Sequence, residues 1–305
     1  MSEWTVKTKR GIAQRDKIAF NAMGYMLVAI FGLMCVMPFY VILVASFTSE
    51  GSLMRNGYSL FITEFSVEAY KLAVRSPIRI FWAYRNTICV TVIGTSISVL
   101  ISTMTGYVLQ RKDFGARNVF SFFFFFTTLF NGGLVPWYIL CVRYLGFKNN
   151  YLALLMPLMF SVWNMIIAKS YMTSIPFEIT ESAKVDGAND VRVFFQLILP
   201  LCKPLIATLG LFAALAYWND WFNSMLFITK EEKMSLQYFL QQMINSMQAL
   251  RQMVSMGANI SITGTLPLET MKMAMTVVAT GPIVLLYPFV QKYFVKGLTI
   301  GAVKG

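Results

Sequence analysis

The stretch "ESAKVDGAND", residues 181–190, sets Glu181, Lys184, Asp186 and Asp190 around a single glycine. The chain is oily on both sides of it. "LALLMPLMFSVWNMIIA" fills residues 152–168 and "LILPLCKPLIATLGLFAALAYW" fills 197–218. The flanking runs suit hydrocarbon, whereas the charged island between them needs water or a polar partner surface. This contrast decides the fold, and the rest of the chain repeats it.

Of 305 residues, 57% are hydrophobic and 13% charged, against about 25% charged in soluble domains. Apolar runs of roughly 18 residues or more with few charges read as membrane spans. Six such runs lie near residues 22–47, 86–109, 119–145, 151–171, 201–228 and 271–294. Backbone groups in lipid must be satisfied within their own segment, so the runs are read as helices. The reading is an all-α membrane protein with six transmembrane helices. The first run is too long for a signal peptide and lacks a clear cleavage site, so it is read as a retained anchor. The phenylalanine run 122–126 is read as a lipid-facing or packing stripe.

Lysine and arginine beside the spans set the orientation. "MSEWTVKTKRGIAQRDK" at the N-terminus holds five, and "RKDFGAR" (111–117) holds three. Residues 1–21 then form a cytoplasmic basic segment, and residues 22–305 form the transmembrane domain. Both termini, "RKDFGAR" and the charged island face the cytoplasm, while segments 48–85 and 229–268 face outward. The net charge of +12 is explained by basic residues beside anionic headgroups, with no nucleic acid required.

Several chemistries are excluded. The chain has no histidine, so the commonest metal ligand and proton shuttle are missing. Cys35, Cys89, Cys141 and Cys202 sit in apolar runs without metal-ligand spacing and are read as buried, inert thiols. No catalytic constellation, metal site, phosphate-cradling loop or cofactor site is expected.

Locally, the island reads as helix, turn, helix. Pro176 and Glu178 suit a helix start, so a short helix is expected from Pro176 to Val185. Gly187 permits the turn. Asn189 or Asp190 can cap a second helix through "VRVFFQLIL". Ser182, Ala183 and Ala188 are small enough for another protein surface to come close. The plainer alternative is a solvated loop with ordinary caps, which leaves the coincidence of small residues, carboxylate and turn unexplained.

With these residues assembled, "IPFEITESAKVDGANDVRVFFQLILPLCKP" (175–204) resembles the EAA loop of ABC importer permeases. The usual pattern is Glu-Ala-Ala, three residues, then Gly; here Glu181-Ser182-Ala183 precedes Gly187, with Ser182 replacing the first Ala. "YRNTICVTVIGTSISVLISTMTGYVLQRKDFGAR" (84–117) resembles the second span of maltose-type carbohydrate permeases. "LFNGGLVPWYILCVRYLGF" (129–147), "AYWNDWFNSMLFI" (216–228) and "QKYFVKGLTIGAVKG" (291–305) are similar to the branch for complex oligosaccharide and polysaccharide uptake.

The resemblance implies a type I ABC importer permease fold with a cytoplasmic EAA coupling helix, the loop spanning about residues 174–204. It implies a multi-pass subunit of the bacterial cytoplasmic membrane that forms half of a pathway for an oligosaccharide or polysaccharide fragment. The implied partners are a second homologous permease, two cytoplasmic ATPase subunits and an external solute-binding protein. The chain itself is then not an enzyme. Glu181 would be the docking carboxylate, Gly187 the turn, and Ile179, Ser182, Ala183 and Ala188 the close face. Asp186 has two readings, docking or an internal cap.

For the pathway, Trp218, Asn219, Asp220 and Trp221 offer aromatic and polar chemistry suited to sugars. An intramembrane carboxylate such as Asp220 is a functional candidate by default. A structural cluster is the competing reading. Asn131, before Gly132-Gly133 and Pro136, interrupts the third run and either lines the route or kinks the helix. The outer stretch "SLQYFLQQMINSMQALRQMV" (235–254) has the apolar spacing of an amphipathic helix. A secondary carrier and a non-transport membrane scaffold are the other classes weighed. The first would need ion-coupling residues and often inverted repeats; no repeat is visible, and Asp220 is the only obvious acidic candidate. The second leaves the EAA pattern a coincidence.

Overall fold

A computed structural model describes residues 2–73, 77–256 and 267–284. Its helices are α1 Ser2–Ser46, α2 Glu50–Asn56, α3 Glu68–Ala73, α4 Pro77–Gln110, α5 Arg117–Leu129, α6 Leu134–Ile139 and α7 Leu152–Leu155. They continue as α8 Val162–Met172, α9 Glu178–Val185, α10 Asp190–Arg192, α11 Leu199–Leu201, α12 Lys203–Trp218, α13 Phe222–Phe227 and α14 Leu236–Ser255. A last helix, α15, covers residues 268–284. Among the described residues there is no strand, only an isolated bridge between Thr48 and Phe65. The chain divides into two units: Met1–Ala73 with Leu250–Val278, and Val74–Ala249 with Ala279–Gly305.

In the first unit, Phe20–Ser46 of α1 is long and apolar enough to cross a membrane. Its apolar side chains are exposed along most of its length, as a lipid-facing helix requires. Glu50 is buried, and its carboxylate accepts from the amides of Glu269 (3.0 Å) and Thr270 (2.9 Å) and from the Thr270 hydroxyl (2.9 Å). A carboxylate on the free amides of a helix start is favoured by both hydrogen bonding and the helix dipole. This contact fixes α2 to the beginning of α15.

In the second unit α4 is the spine. Its buried residues Ala83, Thr87, Val90, Gly94, Ser98, Ser102 and Gly106 recur every three or four positions, which makes one helical face. The small side chains let neighbours approach closely, the usual device between helices in lipid. A Cβ at Gly106 would lie 2.7 Å from Ala168 Cβ and 2.9 Å from the Lys169 amide of α8. A Cβ at Gly94 would overlap the Tyr217 ring of α12. The N-terminal part of α4 is tied down by polar groups. Asn86 Nδ2 donates to the carbonyls of Glu232 (2.8 Å) and Met234 (3.1 Å), and Thr87 Oγ1 accepts from the Leu236 amide at 2.8 Å.

The expected spans differ in regularity. Residues 86–109 fall inside the continuous α4. The third and fourth are bent pairs, Arg117–Leu129 with Leu134–Tyr144 at 110° and Leu152–Leu158 with Val162–Met172 at 47°. The fifth is also broken. Asp190–Leu201 meets Lys203–Trp218 at 84°, between Pro200 and Pro204 at the start of that run. The helix stops again at Trp218. Two described helices can cross a membrane, or up to five if each bent pair is one span. Residues 285–294 of the sixth expected run, the C-terminal stretch 291–305 and residues 257–266 of the expected outer segment lie outside the described residues. Cys141 and Cys202 are buried as expected, but Cys35 and Cys89 are exposed, because the faces of α1 and α4 that carry them have no cover among the described residues.

The close packing at Gly106 gives a direct test. Gly106→Val pushes a side chain against α8 backbone, which cannot yield, and overpacking costs about 1–3 kcal/mol. The purified protein in detergent is expected to melt at a clearly lower temperature. Gly115→Ala, where an added Cβ meets nothing within 4 Å, should melt near wild type. Equal melting of the two variants contradicts this packing.

Candidate functional site

The charged island folds as two short helices joined by a left-handed turn. The α9 helix begins at Glu178, two positions after Pro176. It ends at Val185, and Gly187 just beyond has a φ of +81°, which is strained for any residue with a Cβ. There the Ala188 amide donates to Ala183 O (2.9 Å) and the Gly187 amide to Lys184 O (3.0 Å). Both satisfy carbonyls that a helix end otherwise orphans. Asn189 caps α10, its Oδ1 accepting from the Arg192 amide at 2.8 Å. Of the two expected caps, the amide performs this role.

The helix presents two faces. Thr180 and Ala183 are buried, and Ala183 packs with Tyr107, Met172, Val193 and Phe194. Ile179 and Ala188 are half-buried. Glu181, Ser182, Asp186 and Gly187 are exposed, and Val185 is 88% exposed. Ser182 Oγ donates to the Ile179 carbonyl at 3.2 Å. Glu181 and Asp186 make no side-chain hydrogen bond or ion pair among the described residues. The outward face thus combines a free carboxylate with a bare apolar side chain.

Beside this face lies a four-charge cluster. Arg111 Nε donates to Asp113 Oδ1 at 2.8 Å and Nη2 to Asp113 Oδ2, while Nη1 reaches Asp190 Oδ1 at 2.6 Å. Lys184 Nζ completes it, 3.3 Å from Asp113 Oδ2 and 3.4 Å from Asp190 Oδ1. Hydrogen bonding from Arg111 holds the Asp113 carboxyl far below the usual carboxylate range and lowers that of Asp190. The bond to Asp113 raises Arg111 in turn. The guanidinium carbon sits 5.7 Å above the Tyr107 ring, which packs on Phe194 at 5.3 Å. From the sequence, "RKDFGAR" serves for orientation and in the family resemblance, and this cluster goes unread. The available signal was a paired Arg111 and Asp113 at the end of an otherwise apolar run.

The second candidate region does not form one helical face. Because α12 ends at Trp218 and α13 begins at Phe222, Trp218 closes one helix and Trp221 lies in the break before the next. Trp218 is 6% exposed and its Nε1 donates to the Ala279 carbonyl at 3.0 Å. Asn219 is exposed, with Nδ2 on the Leu215 carbonyl at 2.9 Å. Asp220 caps α13, accepting from the Asn223 amide at 3.1 Å and from Asn223 Nδ2 at 3.0 Å. Trp221 is 44% exposed and edge-on to Phe222 at 5.8 Å. The Asp220 cap is the physical reason for the break. Its carboxylate competes for backbone amides that a continuous helix would use.

Asn131 sits at the 110° bend between α5 and α6, its Oδ1 accepting from the Gly133 amide at 2.8 Å. Gly133 has φ +88°. A cavity of about 960 Å³ opens at this bend, lined by Thr127, Phe130, Asn131, Trp137, Pro157 and Phe222 among others. No group of histidine, cysteine or carboxylate side chains suited to a metal ion occurs among the described residues.

Comparison with known proteins adds the family. Residues 98–300 match the model of the "Binding-protein-dependent transport system inner membrane component". The chain is 38% identical over 287 residues to the polygalacturonan/rhamnogalacturonan transport system permease protein YtcP of Bacillus subtilis (strain 168), covering 94% of this chain and 98% of that one. It is 35% identical to protein LplC of the same organism, covering 90% and 91%. Among solved structures it is similar to a chain of a bacterial ABC transporter involved in the import of the acidic polysaccharide alginate. That match has a TM-score of 0.76 and 29% identity, covering 92% of this chain and 98% of that one. The extent and identity of these matches make the chain a member of the binding-protein-dependent transport system inner membrane components, with the type I ABC permease fold, and a permease subunit of an ABC importer.

Proposed function

We propose that this subunit forms half of the pathway for an oligosaccharide or polysaccharide fragment, paired with a second, homologous permease. An external solute-binding protein delivers substrate. Two cytoplasmic ATPase subunits supply the energy through the loop at about residues 174–204. Residues 22–305 form the six-span membrane domain, the basic segment 1–21 and both termini lie in the cytoplasm, and segment 229–268 lies outside. The substrate class rests on the relatives' printed names: polygalacturonan/rhamnogalacturonan for YtcP and alginate for the solved transporter.

The observation that carries the coupling role is Glu181, an exposed carboxylate without a partner among the described residues, on a helix followed by the turn at Gly187. Buried against another protein, such a charge needs a donor there, since removing one partner of a buried pair costs about 3–5 kcal/mol. Ile179, Ser182 and Val185 flank it outward. Asp186 and Ala188 complete the edge, and Ala183 anchors the helix from inside. Glu181→Lys and Gly187→Val are each expected to lower ATP-driven uptake by more than about tenfold, on that same energetic scale. Membrane insertion should be retained. Uptake assays in vesicles with the cognate ATPase decide this; normal uptake by both variants, with normal ATPase co-purification, removes the docking role.

On the pathway side, Trp221 is the tryptophan with a ring surface to offer, together with Asn131 and the aromatic walls of the bend. Asn219 and Asp220 shape the break that presents Trp221, and Trp218 holds α12 to the last helix. Trp221→Ala is expected to reduce sugar flux in proteoliposomes while loaded binding protein still stimulates ATP hydrolysis. Trp218→Ala should instead reduce assembly. Full flux in Trp221→Ala assigns the whole cluster to structure.

Orientation has its own check. In a cysteine-free background, Val185→Cys should resist an impermeant thiol reagent added outside intact cells and react once the membrane is opened. Labelling from outside inverts the topology.

A further inference from the structure

We infer that Arg111 and Asp190 are a positioning pair: they fix the docking loop to the end of α4, so that displacement of the loop moves the membrane helices with it. The inference rests on the reading of residues 181–190 as the docking element and concerns what stands behind it. Three observations carry it.

First, the Arg111 side chain is 10% exposed, and all three of its nitrogens are engaged by Asp113 and Asp190. Exposed ion pairs on mobile side chains contribute little. A guanidinium mostly removed from water and held as a two-sided fork restricts geometry in a way an ammonium group does not. Second, the four charges come from three segments. Arg111 and Asp113 follow α4, Lys184 lies on α9 and Asp190 begins α10. The cluster therefore spans the joint between membrane helix and loop, not one side of it. Third, apolar packing lies under the ions. Tyr107, one turn before Arg111, holds Phe194 and sits in the cluster that includes Ala183 of α9. Gly106 at that level touches α8. Ionic fork and aromatic contact fix two points, which resists both sliding and rotation. Glu181 is not part of this cluster and remains free for the ATPase.

A stabilising cluster and a transmitting one predict different behaviour. The test uses the assembled transporter with its ATPase and binding protein in proteoliposomes, measuring substrate uptake and ATP hydrolysis together. Asp190→Asn, which preserves shape, and Arg111→Lys, which preserves charge but not the fork, are expected to assemble and hydrolyse ATP. Their uptake per ATP should fall about fivefold or more, the lower range of a coupling between sites. Arg111→Gln combined with Asp190→Asn should be no worse than Arg111→Gln alone, since the two act through each other. Wild-type uptake per ATP in Asp190→Asn and Arg111→Lys overturns the inference. So does a proportionate loss of hydrolysis and uptake, or failure of Asp190→Asn to assemble, because either marks a purely structural role. Glu181→Lys separates the two proposals. If it abolishes uptake while the Arg111 and Asp190 variants stay coupled, docking stands and the positioning pair falls. If it transports normally, both fall.

Discussion

A guanidinium at the end of an apolar helix, largely out of water, is tolerated only when its charge is met on the spot. Arg111 is in that position. Its partners are drawn from the loop behind it and from a segment far away in sequence, and this fixes where the polypeptide between α8 and α12 must go. Were the charge to point into water instead, the loop would keep only its apolar contacts, chiefly Phe194 on Tyr107 and Ala183 in the same cluster.

Everything that arrives at that point does so through α4. Its small-residue face lets the α8 backbone and the Tyr217 ring of α12 pack directly against it, so these helices have little freedom to slide independently; interiors packed to this density transmit displacement instead of absorbing it. Near the far end, Asn86 and Thr87 hold residues 232–236 by their backbone. One helix thus has polar anchors towards both ends and a close-packed middle. This arrangement suits a subunit of an importer in which work done on one side must rearrange groups on the other.

Much of this was legible in the sequence. The apolar runs identify the helical membrane architecture because hydrocarbon leaves the backbone few alternatives. The helix-turn-helix of residues 176–198 could be read from Pro176, Gly187 and Asn189, whose preferences are local. What the sequence did not disclose depends on distant partners or on side chains competing with the backbone. The Arg111–Asp190 pair joins segments whose proximity only the packed fold creates. The break after Trp218 lies within a strongly apolar stretch, and the Asp220 carboxylate decides it. The inward turn of Ala183 and the different surroundings of the two tryptophans follow from packing that periodicity alone does not specify. Cys35 and Cys89 look like core residues by composition, yet hydrophobicity cannot distinguish lipid from protein as the neighbour.

The central claim is that the end of α4 and the loop beyond Gly187 move as one body. The most direct measurement is a distance distribution between spin labels at positions 112 and 192, both exposed, in a cysteine-free, fully assembled transporter. The account expects a narrow distribution that is the same in the nucleotide-free and ATP-trapped states. A distribution that broadens or shifts between those states would show the loop moving independently of α4 and would contradict the account.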